Sequence, residues 1–294
     1  MRVLVTGAGG QLGTEVVADL RRRAEARRRG PALEVIGADR ARLDVADRDA
    51  VRAAIVGLEP DVVIHAAALT AVDRCEAEAD LALAVNAFGP RNVAEAARLV
   101  GAHVAYVSTD YVFDGTKDGP YDEWDLPSPR SVYGRSKLGG ERELDPGATI
   151  VRTAWVSGRH GANIARTILR LAAEDAGPLR FVDDQRGSPT VAHDLAGTLV
   201  ELAVSRHPGV FHVTNAGATT WFGFARAVLE AAGYDPARVE PVTTAELLPA
   251  RPAPRPANSV LANAALACSG LPLLRPWQEA VAELVPQLVA ELGR

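Results

Sequence analysis

The first half of the chain alternates short apolar runs with longer stretches whose apolar residues recur at helical spacing. The apolar runs predict strands at residues 3–6, 34–38, 62–65, 104–108 and 149–153. The stretches between them predict helices at 11–26, 47–58, 81–100 and 133–144. Because such alternation places helices on both faces of a parallel sheet, it predicts an α/β fold with a Rossmann-type doubly wound parallel sheet.

After about residue 157 the pattern changes. Segments rich in Pro, Gly and Thr separate further helical patterns at 163–173, 193–205, 220–232 and 278–292. We interpret residues 1–157 as a dinucleotide-binding domain. We interpret residues 158–294 mainly as a smaller substrate-binding lobe, from which the chain can cross back to the sheet. The four prolines within 249–258 leave open whether this stretch is packed or a disordered linker.

Composition narrows the class of protein further. The chain has 294 residues, 48% of them apolar, which is enough for a full core, and a net charge of −5, which gives no general attraction to nucleic acid. Its two cysteines form no disulfide framework and fit a reducing cytoplasm. No apolar run approaches the ~20 residues of a membrane span, and too few residues precede Gly7 for a signal peptide. We therefore expect a cytoplasmic protein without nucleic-acid or membrane partners.

A glycine-rich turn joins the first predicted strand to the first predicted helix, in Thr6-Gly7-Ala8-Gly9-Gly10-Gln11-Leu12-Gly13. Here Gly7 would allow the tight turn, Gly10 would let the backbone approach a pyrophosphate, and Gly13 would allow close packing of helix on strand. The Gly-x-x-Gly-x-x-Gly spacing is typical of short-chain dehydrogenases and reductases. A purely structural turn is the alternative.

Residues after the second predicted strand suggest how an adenosine ribose would be bound. Asp39 would accept hydrogen bonds from the ribose hydroxyls, whereas Arg40 would pair with a 2′-phosphate. These preferences oppose each other, so NADH and NADPH both remain open. Asp44 is a candidate adenine contact or, alternatively, the cap of the next helix.

Two further segments supply groups for proton transfer. Ser108-Thr109 ends an apolar run, and Tyr133 precedes Lys137 by one helical turn, so both side chains lie on one helix face. Only two of the 32 basic residues are lysines, and one of them occupies this position. A compact ammonium can support a phenolate and bond a ribose hydroxyl. The spacing predicts a carbonyl reductase in which Thr109, Tyr133 and Lys137 are catalytic.

Small residues follow the third predicted strand, at Ala66-Ala67-Ala68, where a cofactor would lie against the backbone. We interpret His65, which precedes them, as a packed core histidine. Asn86 would hold backbone or water beside the catalytic lysine, or would form a local cap.

Taken together, these motifs resemble the dTDP-4-dehydrorhamnose reductases, a group of extended short-chain dehydrogenases. The resemblance covers nearly the whole chain. Its most specific strings are Gly10-Gln11-Leu12-Gly13, Ala68-Leu69-Thr70-Ala71-Val72-Asp73, Ser108-Thr109-Asp110-Tyr111-Val112-Phe113-Asp114-Gly115, Val132-Tyr133-Gly134-Arg135-Ser136-Lys137 and Asp184-Gln185-Arg186-Gly187-Ser188-Pro189-Thr190.

The resemblance implies reduction of the 4-keto group of dTDP-4-dehydro-β-L-rhamnose with NADPH or NADH, giving dTDP-L-rhamnose. It also implies a sugar pocket made by Thr70, Val72, Asp110, Tyr111 and Trp155. Three residues would lie towards the nucleotide or diphosphate, namely Gln185, Thr190 and Arg255. Gln11 and Leu12 would join the glycines at the cofactor.

Departures from the family pattern keep two alternatives open. Leu69, where Tyr or His is usual, borders the implied sugar pocket, so the first alternative is another 4-keto-6-deoxysugar, such as an antibiotic sugar or the streptose precursor. A non-catalytic regulatory protein of the same fold is the second. Some members dimerise through a magnesium site to which Glu15 would contribute, but His193 stands where a second acid is expected. We therefore expect no metal and a monomer or homodimer.

Overall fold

A computed structural model describes residues 1–26, 32–174, 177–247 and 249–292. The strands are β1 (Arg2–Thr6), β2 (Glu34–Ala38), β3 (Val62–His65), β4 (His103–Thr109), β5 (Thr149–Thr153), β6 (Val156–Ser157), β7 (Leu179–Val182), β8 (Arg186–Gly187), β9 (Thr190–Val191), β10 (Gly209–His212), β11 (Asn215–Ala216), β12 (Thr219–Thr220), β13 (Val239–Val242) and β14 (Leu274–Pro276). The helices are α1 (Gln11–Ala26), α2 (Arg48–Leu58), α3 (Val72–Ala77), α4 (Ala79–Leu83), α5 (Gly89–Val100), α6 (Val132–Arg142), α7 (Ile164–Ala173), α8 (Ala192–Val204), α9 (Trp221–Ala231), α10 (Ala264–Cys268) and α11 (Trp277–Leu292).

Six of the described strands form the central sheet, in the order β10-β5-β4-β3-β1-β2. Every neighbouring pair is parallel. Strand β3 is buried along its whole length, as a strand covered on both faces must be. The predicted doubly wound parallel sheet is confirmed. The direction of the strand order changes between β1 and β3, and ligands bind at such a switch point, outside the carboxyl ends of the strands.

Helices cover both faces of this sheet. On one face α1 packs against α8, burying Val16 and Leu20 with Leu195 and Leu199. On the other face α2 packs against α5, and Ile55 is fully buried there. The apolar stripes of these helices therefore fix where the carboxyl ends of β1, β3 and β4 meet.

A second core lies in the C-terminal half, where α7, α9 and α11 pack together beside the parallel pair β7 and β13. Two other elements of this half belong to the layers of the central sheet. Helix α8 packs on α1, and β10 pairs with β5. The chain thus crosses back to the sheet, and a domain division at residue 157 stays a prediction.

The stretch predicted as a helix at 81–100 is helical throughout. One feature was not predicted, a π-helical turn at Ala84–Phe88 between the end of α4 and α5. The Asn86 side chain accepts from the N–H of Leu69 and donates to its carbonyl O. These bonds to another segment fix the wide turn, a feature frequent at functional sites. The short helix α3 was not predicted.

Two glycines in helices provide a matched test of the packing at the glycine-rich turn. A Cβ at Gly13 would lie 2.1 Å from the carbonyl O of Gly7, whereas a Cβ at Gly57 would meet nothing within 4 Å. We expect Gly13→Ala to lower the free energy of unfolding by ~1–3 kcal/mol or more, because the turn must move. Gly57→Ala should raise it by up to ~1 kcal/mol, because alanine favours the helix. Thermal and urea unfolding measure both, and equal effects would contradict the close packing.

Candidate active site

The glycine-rich turn and the alanines after β3 form one side of a cleft at the switch point. Gly7 has a φ of +71°, and a Cβ there would lie 2.6 Å from the backbone N of Ala67. The Gly10 N–H donates to the carbonyl O of Gly7 over 2.9 Å, which closes the turn before α1. Leu12 is buried, whereas the Gln11 side chain donates to the carbonyl O of Ala162. The turn therefore needs glycine for its shape and leads directly into the N-terminus of α1.

This cleft has a volume of about 490 Å³. Its lining includes most of the residues predicted to bind the cofactor, namely Gly7, Gly10, Asp39, Arg40, Asp44, Ala66, Ala67 and Ala68. Small side chains and bare backbone on one wall and an acid at the far end are what a dinucleotide requires. The structure thus brings these residues together in a cleft that fits NADPH or NADH.

The acid and the arginine at the end of β2 are held differently. The Asp39 carboxylate accepts from the N–H of Arg42 over 3.0 Å, so it is fixed beside the turn. The Arg40 guanidinium is largely exposed and lies 3.8 Å from Asp44, a weak ion pair in solvent. Asp44 does not cap the following helix, because Asp47 accepts from the N–H of Ala50 and caps α2. The Asp44 carboxylate instead accepts from the N–H of Ala46.

The three predicted catalytic side chains lie together at the carboxyl end of β4. Ser131 caps α6 and starts the helix one residue before Tyr133. Helix α6 packs on the 3₁₀ turn that follows β4, which brings the Tyr133 phenol close to the Thr109 side chain. The Thr109 hydroxyl donates to Asp110 over 2.9 Å and accepts from the N–H of Tyr111. The Tyr111 ring meets the Tyr133 ring edge-on, with centroids 5.5 Å apart.

Lys137 carries its ammonium into the interior, where the residue is 2% exposed. The Nζ atom donates to the carbonyl O of Val107 over 2.7 Å and lies 4.0 Å above the centre of the Tyr106 ring. That ring stacks on His65, whose Nδ1 shares a 2.7 Å hydrogen bond with the Thr6 hydroxyl. His65 is fully buried, which confirms its interpretation as a packed histidine.

Burial dominates the electrostatics of this site. It lowers the pKa of Lys137 to about 7, against the opposing effect of the Glu141 carboxylate. It raises the pKa of Asp110 to about 6 and the pKa of Tyr133 well above its ordinary range, although the nearby Thr109 side chain lowers the latter. Since an unfolded lysine titrates near ~10.4, the unfolded chain binds more protons above pH 7. Lys137 therefore makes stability rise with pH from about 7 to ~10.

Asn86 is fully buried and supports the helix that carries Tyr133 and Lys137. Its Nδ2 donates to the Ser136 hydroxyl over 3.0 Å, and this hydroxyl donates to the carbonyl O of Tyr133. The Asn86 backbone carbonyl accepts from the Tyr106 hydroxyl over 3.2 Å. The side chain thus joins the wide turn to α6 and fixes the wall beneath the lysine.

A second cleft, of about 250 Å³, lies on the side of the C-terminal core. Two of the residues predicted to face the substrate nucleotide line it, Gln185 and Arg255, together with Tyr111 from the predicted sugar pocket. The sequence did not single out the other notable lining residues, which are Arg180, Phe181, Trp221 and Arg251. A lining with three arginines and three aromatic side chains suits a nucleoside diphosphate.

Three of the predicted substrate residues have structural partners of their own. The Arg255 guanidinium forms a two-pronged ion pair with Asp73, with Nη2 2.8 Å from Oδ2. The Gln185 amide donates to the Thr244 hydroxyl over 2.9 Å. Thr190 is buried in β9 and its hydroxyl donates to the carbonyl O of Ser188. Only the first two line the cleft among the described residues.

The remaining residues predicted for the sugar pocket come from three segments. Thr70 lies two residues before α3 and Val72 begins it, and Val72 packs in one cluster with Tyr133, Tyr111 and Leu69. Trp155 lies between β5 and β6. Asp110 is 2% exposed, and its Oδ2 has no hydrogen-bond partner among the described residues. A buried acceptor beside the phenol fits a contact with a sugar hydroxyl.

Glu15 lies between two histidines rather than among acids. Its carboxylate oxygens are 3.2 Å from Nδ1 of His193 and 3.6 Å from Nε2 of His160. Within the described ranges, no group of three or more His, Cys, Asp and Glu side chains could hold a metal ion. Nor is any helix of those ranges long and apolar enough to cross a membrane.

Comparisons with known proteins show that the chain is similar to one family over nearly its whole length. The family model described as RmlD substrate binding domain matches residues 1–290. A dTDP-4-dehydrorhamnose reductase of Streptomyces griseus is 44% identical, covering 100% of this chain and 96% of its own. A probable dTDP-4,6-dihydroxy-2-methyloxan-3-one 4-ketoreductase of Streptomyces antibioticus is also 44% identical, covering 99% and 96%. The structure of dTDP-4-dehydrorhamnose reductase from Bacillus anthracis in complex with NADP has a TM-score of 0.90 at 36% identity, covering 97% and 99%.

A substitution of the buried Lys137 tests whether turnover depends on the shape of its ammonium or only on its positive charge. Lys137→Arg keeps a positive charge, but a planar guanidinium is too long for the space between the Val107 carbonyl and the Tyr106 ring. We expect turnover to fall ~10²-fold, as misplacement by ~1 Å can cause. Steady-state turnover against pH, with circular dichroism to verify folding, checks this. Wild-type turnover by the variant would show that any positive charge suffices.

Proposed function

The chain belongs to the dTDP-4-dehydrorhamnose reductase family, and on this basis we propose that it reduces the 4-keto group of dTDP-4-dehydro-β-L-rhamnose with NADPH or NADH. The product would be dTDP-L-rhamnose. One observation carries the proposal: Thr109, Tyr133 and Lys137 lie together at the carboxyl end of β4, and Tyr133 packs with Leu69 of the dinucleotide cleft and Tyr111 of the arginine-lined cleft. A regulatory protein without catalysis would not need this arrangement.

The cofactor would lie across the glycine-rich turn. Gly7 and Gly13 allow the close backbone packing that shapes the turn, Gly10 would let a pyrophosphate approach the N-terminus of α1, and Ala66–Ala68 would form the wall for the nicotinamide half. When bound, the reduced nicotinamide supplies the hydride. The Lys137 ammonium uses one of its three protons for the Val107 carbonyl, which leaves two for the ribose and the phenol.

Tyr133 would donate its proton to the carbonyl oxygen of the substrate, and Thr109 would hydrogen-bond the same oxygen. Burial favours the neutral phenol, so Tyr133 carries its proton at neutral pH. Loss of that proton forms a phenolate, which the ammonium of Lys137 stabilises. The charged lysine is therefore needed when the proton moves, although burial, opposed by Glu141, lowers the pKa of Lys137 to about 7.

The substrate nucleotide would occupy the second cleft. Arg180, Arg251 and Arg255 bring positive charge to one wall, and arginine forks match phosphate oxygens. Asp73 orients Arg255 through both of its carboxylate oxygens. The sugar would extend from there past Trp155 and Tyr111 to Tyr133. Thr190, by contrast, is buried and would act through the shape of β9.

A specific observation favours a second candidate substrate. The relative from Streptomyces antibioticus has another 4-keto sugar in its name and is as similar as the relative from Streptomyces griseus. Leu69 packs beside Tyr133, where its side chain would border the sugar. The alternative is therefore a 4-ketoreductase for another dTDP-linked 4-keto-6-deoxysugar. We further propose a cytoplasmic enzyme, monomeric or homodimeric, in which Glu15 pairs with histidines rather than with magnesium.

The test of the reaction is oxidation of NADPH by the purified protein, with dTDP-4-dehydrorhamnose generated in place. We expect turnover by the wild type and a loss of ~10²–10⁴-fold in Tyr133→Phe, because only the phenolic proton is removed. Cofactor affinity, measured by quenching of protein fluorescence, should stay nearly unchanged. Turnover of the variant within about threefold of wild type would show that another group is the acid. Turnover only with a different dTDP-4-keto sugar would favour the second candidate.

Cofactor choice has its own test at the end of β2. Asp39→Ala should improve NADPH relative to NADH, because the carboxylate repels a 2′-phosphate. Arg40→Ala should do the reverse, because its exposed guanidinium is free to meet that phosphate. The ratio of kcat/KM for the two cofactors measures both variants, and Arg52→Ala on the exposed side of α2 is a control. If neither ratio changes, the ribose lies elsewhere.

A further inference from the structure

Trp155 has a backbone conformation that its side chain disfavours. Its φ is +48°, in the left-handed region that non-glycine residues enter at a cost of roughly 1–2 kcal/mol. Such strain persists only where the surroundings determine the conformation, and it concentrates at functional sites. Trp155 follows β5, whose end lies beside the end of β4 with Thr109. The structure around this ring must therefore hold it in place.

Trp221 is the residue that holds one face. The two indole rings stack with centroids 3.5 Å apart and planes 7° apart, so they overlap almost completely. Complete overlap is less favourable than offset or edge-to-face packing. Phe224 meets the Trp221 ring edge-on from within α9 and fixes its orientation. The surrounding packing, rather than the stacking preference of the two rings, therefore determines this geometry.

Gly187 holds the other face. A Cβ at this position would lie 2.4 Å from Cε2 of Trp155, so only glycine leaves room for the indole. Gly187 pairs with Thr219 in the two-stranded sheet of β8 and β12, and β12 leads directly into α9 at Trp221. The Thr220 hydroxyl caps α9 and donates to Asp183 over 2.6 Å. One small unit of β8, β12 and the start of α9 therefore supplies both walls around Trp155.

We propose that Trp221 is a positioning residue for nucleotide-sugar binding, which holds the strained Trp155 ring as a wall of the sugar pocket. The inference rests on the proposed function. Trp221 also lines the cleft that contains Arg180, Arg251 and Arg255. Its ring therefore joins the wall of the sugar pocket to the wall of the nucleotide cleft. It sets the distance between the diphosphate and the carbonyl that Tyr133 must protonate.

Trp221→Leu is the direct test, with Trp277→Phe as its matched control. Trp277 is a buried tryptophan of the same C-terminal core, packed at a tilt against Phe224. We expect Trp221→Leu to lower kcat/KM for dTDP-4-dehydrorhamnose by ~10–10²-fold, as a wall displaced by ~1 Å would. Trp277→Phe should change kcat/KM less than about threefold, even where it lowers the melting temperature equally. Affinity for NADPH should stay the same in both.

Circular dichroism separates positioning from general destabilisation. Two overlapping indoles give an exciton couplet, which should be present in the wild type and in Trp277→Phe but absent from Trp221→Leu. Gly187→Ala, which pushes the Trp155 ring from the opposite face, should also lose the couplet and reduce kcat/KM. A missing couplet in the wild type, or equal kcat/KM in the Trp221 and Trp277 variants, would overturn the inference alone. Absence of wild-type turnover would reject the proposed function and this inference with it.

Discussion

The site depends on one constraint, the burial of the Lys137 ammonium. Helix α6 carries this side chain between the Val107 carbonyl and the Tyr106 ring, where water is excluded. Burial lowers the pKa of Lys137 to about 7 and raises the pKa of Tyr133, so it favours the neutral form of both groups. In the proposed reaction, a negative charge forming on the Tyr133 phenol would favour the charged form of Lys137, because opposite charges attract each other more strongly at low dielectric. This attraction would offset part of the free energy that the burial of the ammonium costs.

The layer beneath the lysine is also charged and buried. Arg152 in β5 and Glu141 in α6 form a two-pronged ion pair whose side chains are 5% exposed, and the Ser108 hydroxyl donates to the same carboxylate. Breaking such a pair by removing one partner costs ~3–5 kcal/mol, because a charge is left alone in the interior. Glu141 also raises the pKa of Lys137. The ion pair thus holds α6 against β4 and β5, and its Glu141 carboxylate favours the charged form of Lys137.

Much of this could be predicted from residues near each other in the sequence. Five of the six strands of the central sheet were placed to within one residue, because buried strands are continuous apolar runs, whereas β10 (Gly209–His212) was missed. The spacing of Tyr133 and Lys137 set them on one helix face. Contacts between distant segments could not be predicted. Asn86, in the π-helical turn within 81–100, bonds to Leu69, and Arg255 is held by Asp73, 182 residues away. Trp221 carried only a weak signal in the sequence: it is one of four tryptophans, and it lies at the start of a predicted helix.

The scarcity of lysine makes the central claim directly measurable. Only Lys117 and Lys137 would appear in protein labelled with ¹³C at the lysine ε-carbons, and each can be assigned by substitution. Titration of the free protein should show Lys137 losing its proton near pH 7, because burial disfavours its charge. Lys117, paired with Asp125, should titrate above its ordinary range. Two signals that both titrate at or above the ordinary ~10.4 would contradict the account, because Lys137 would then be charged and hydrated.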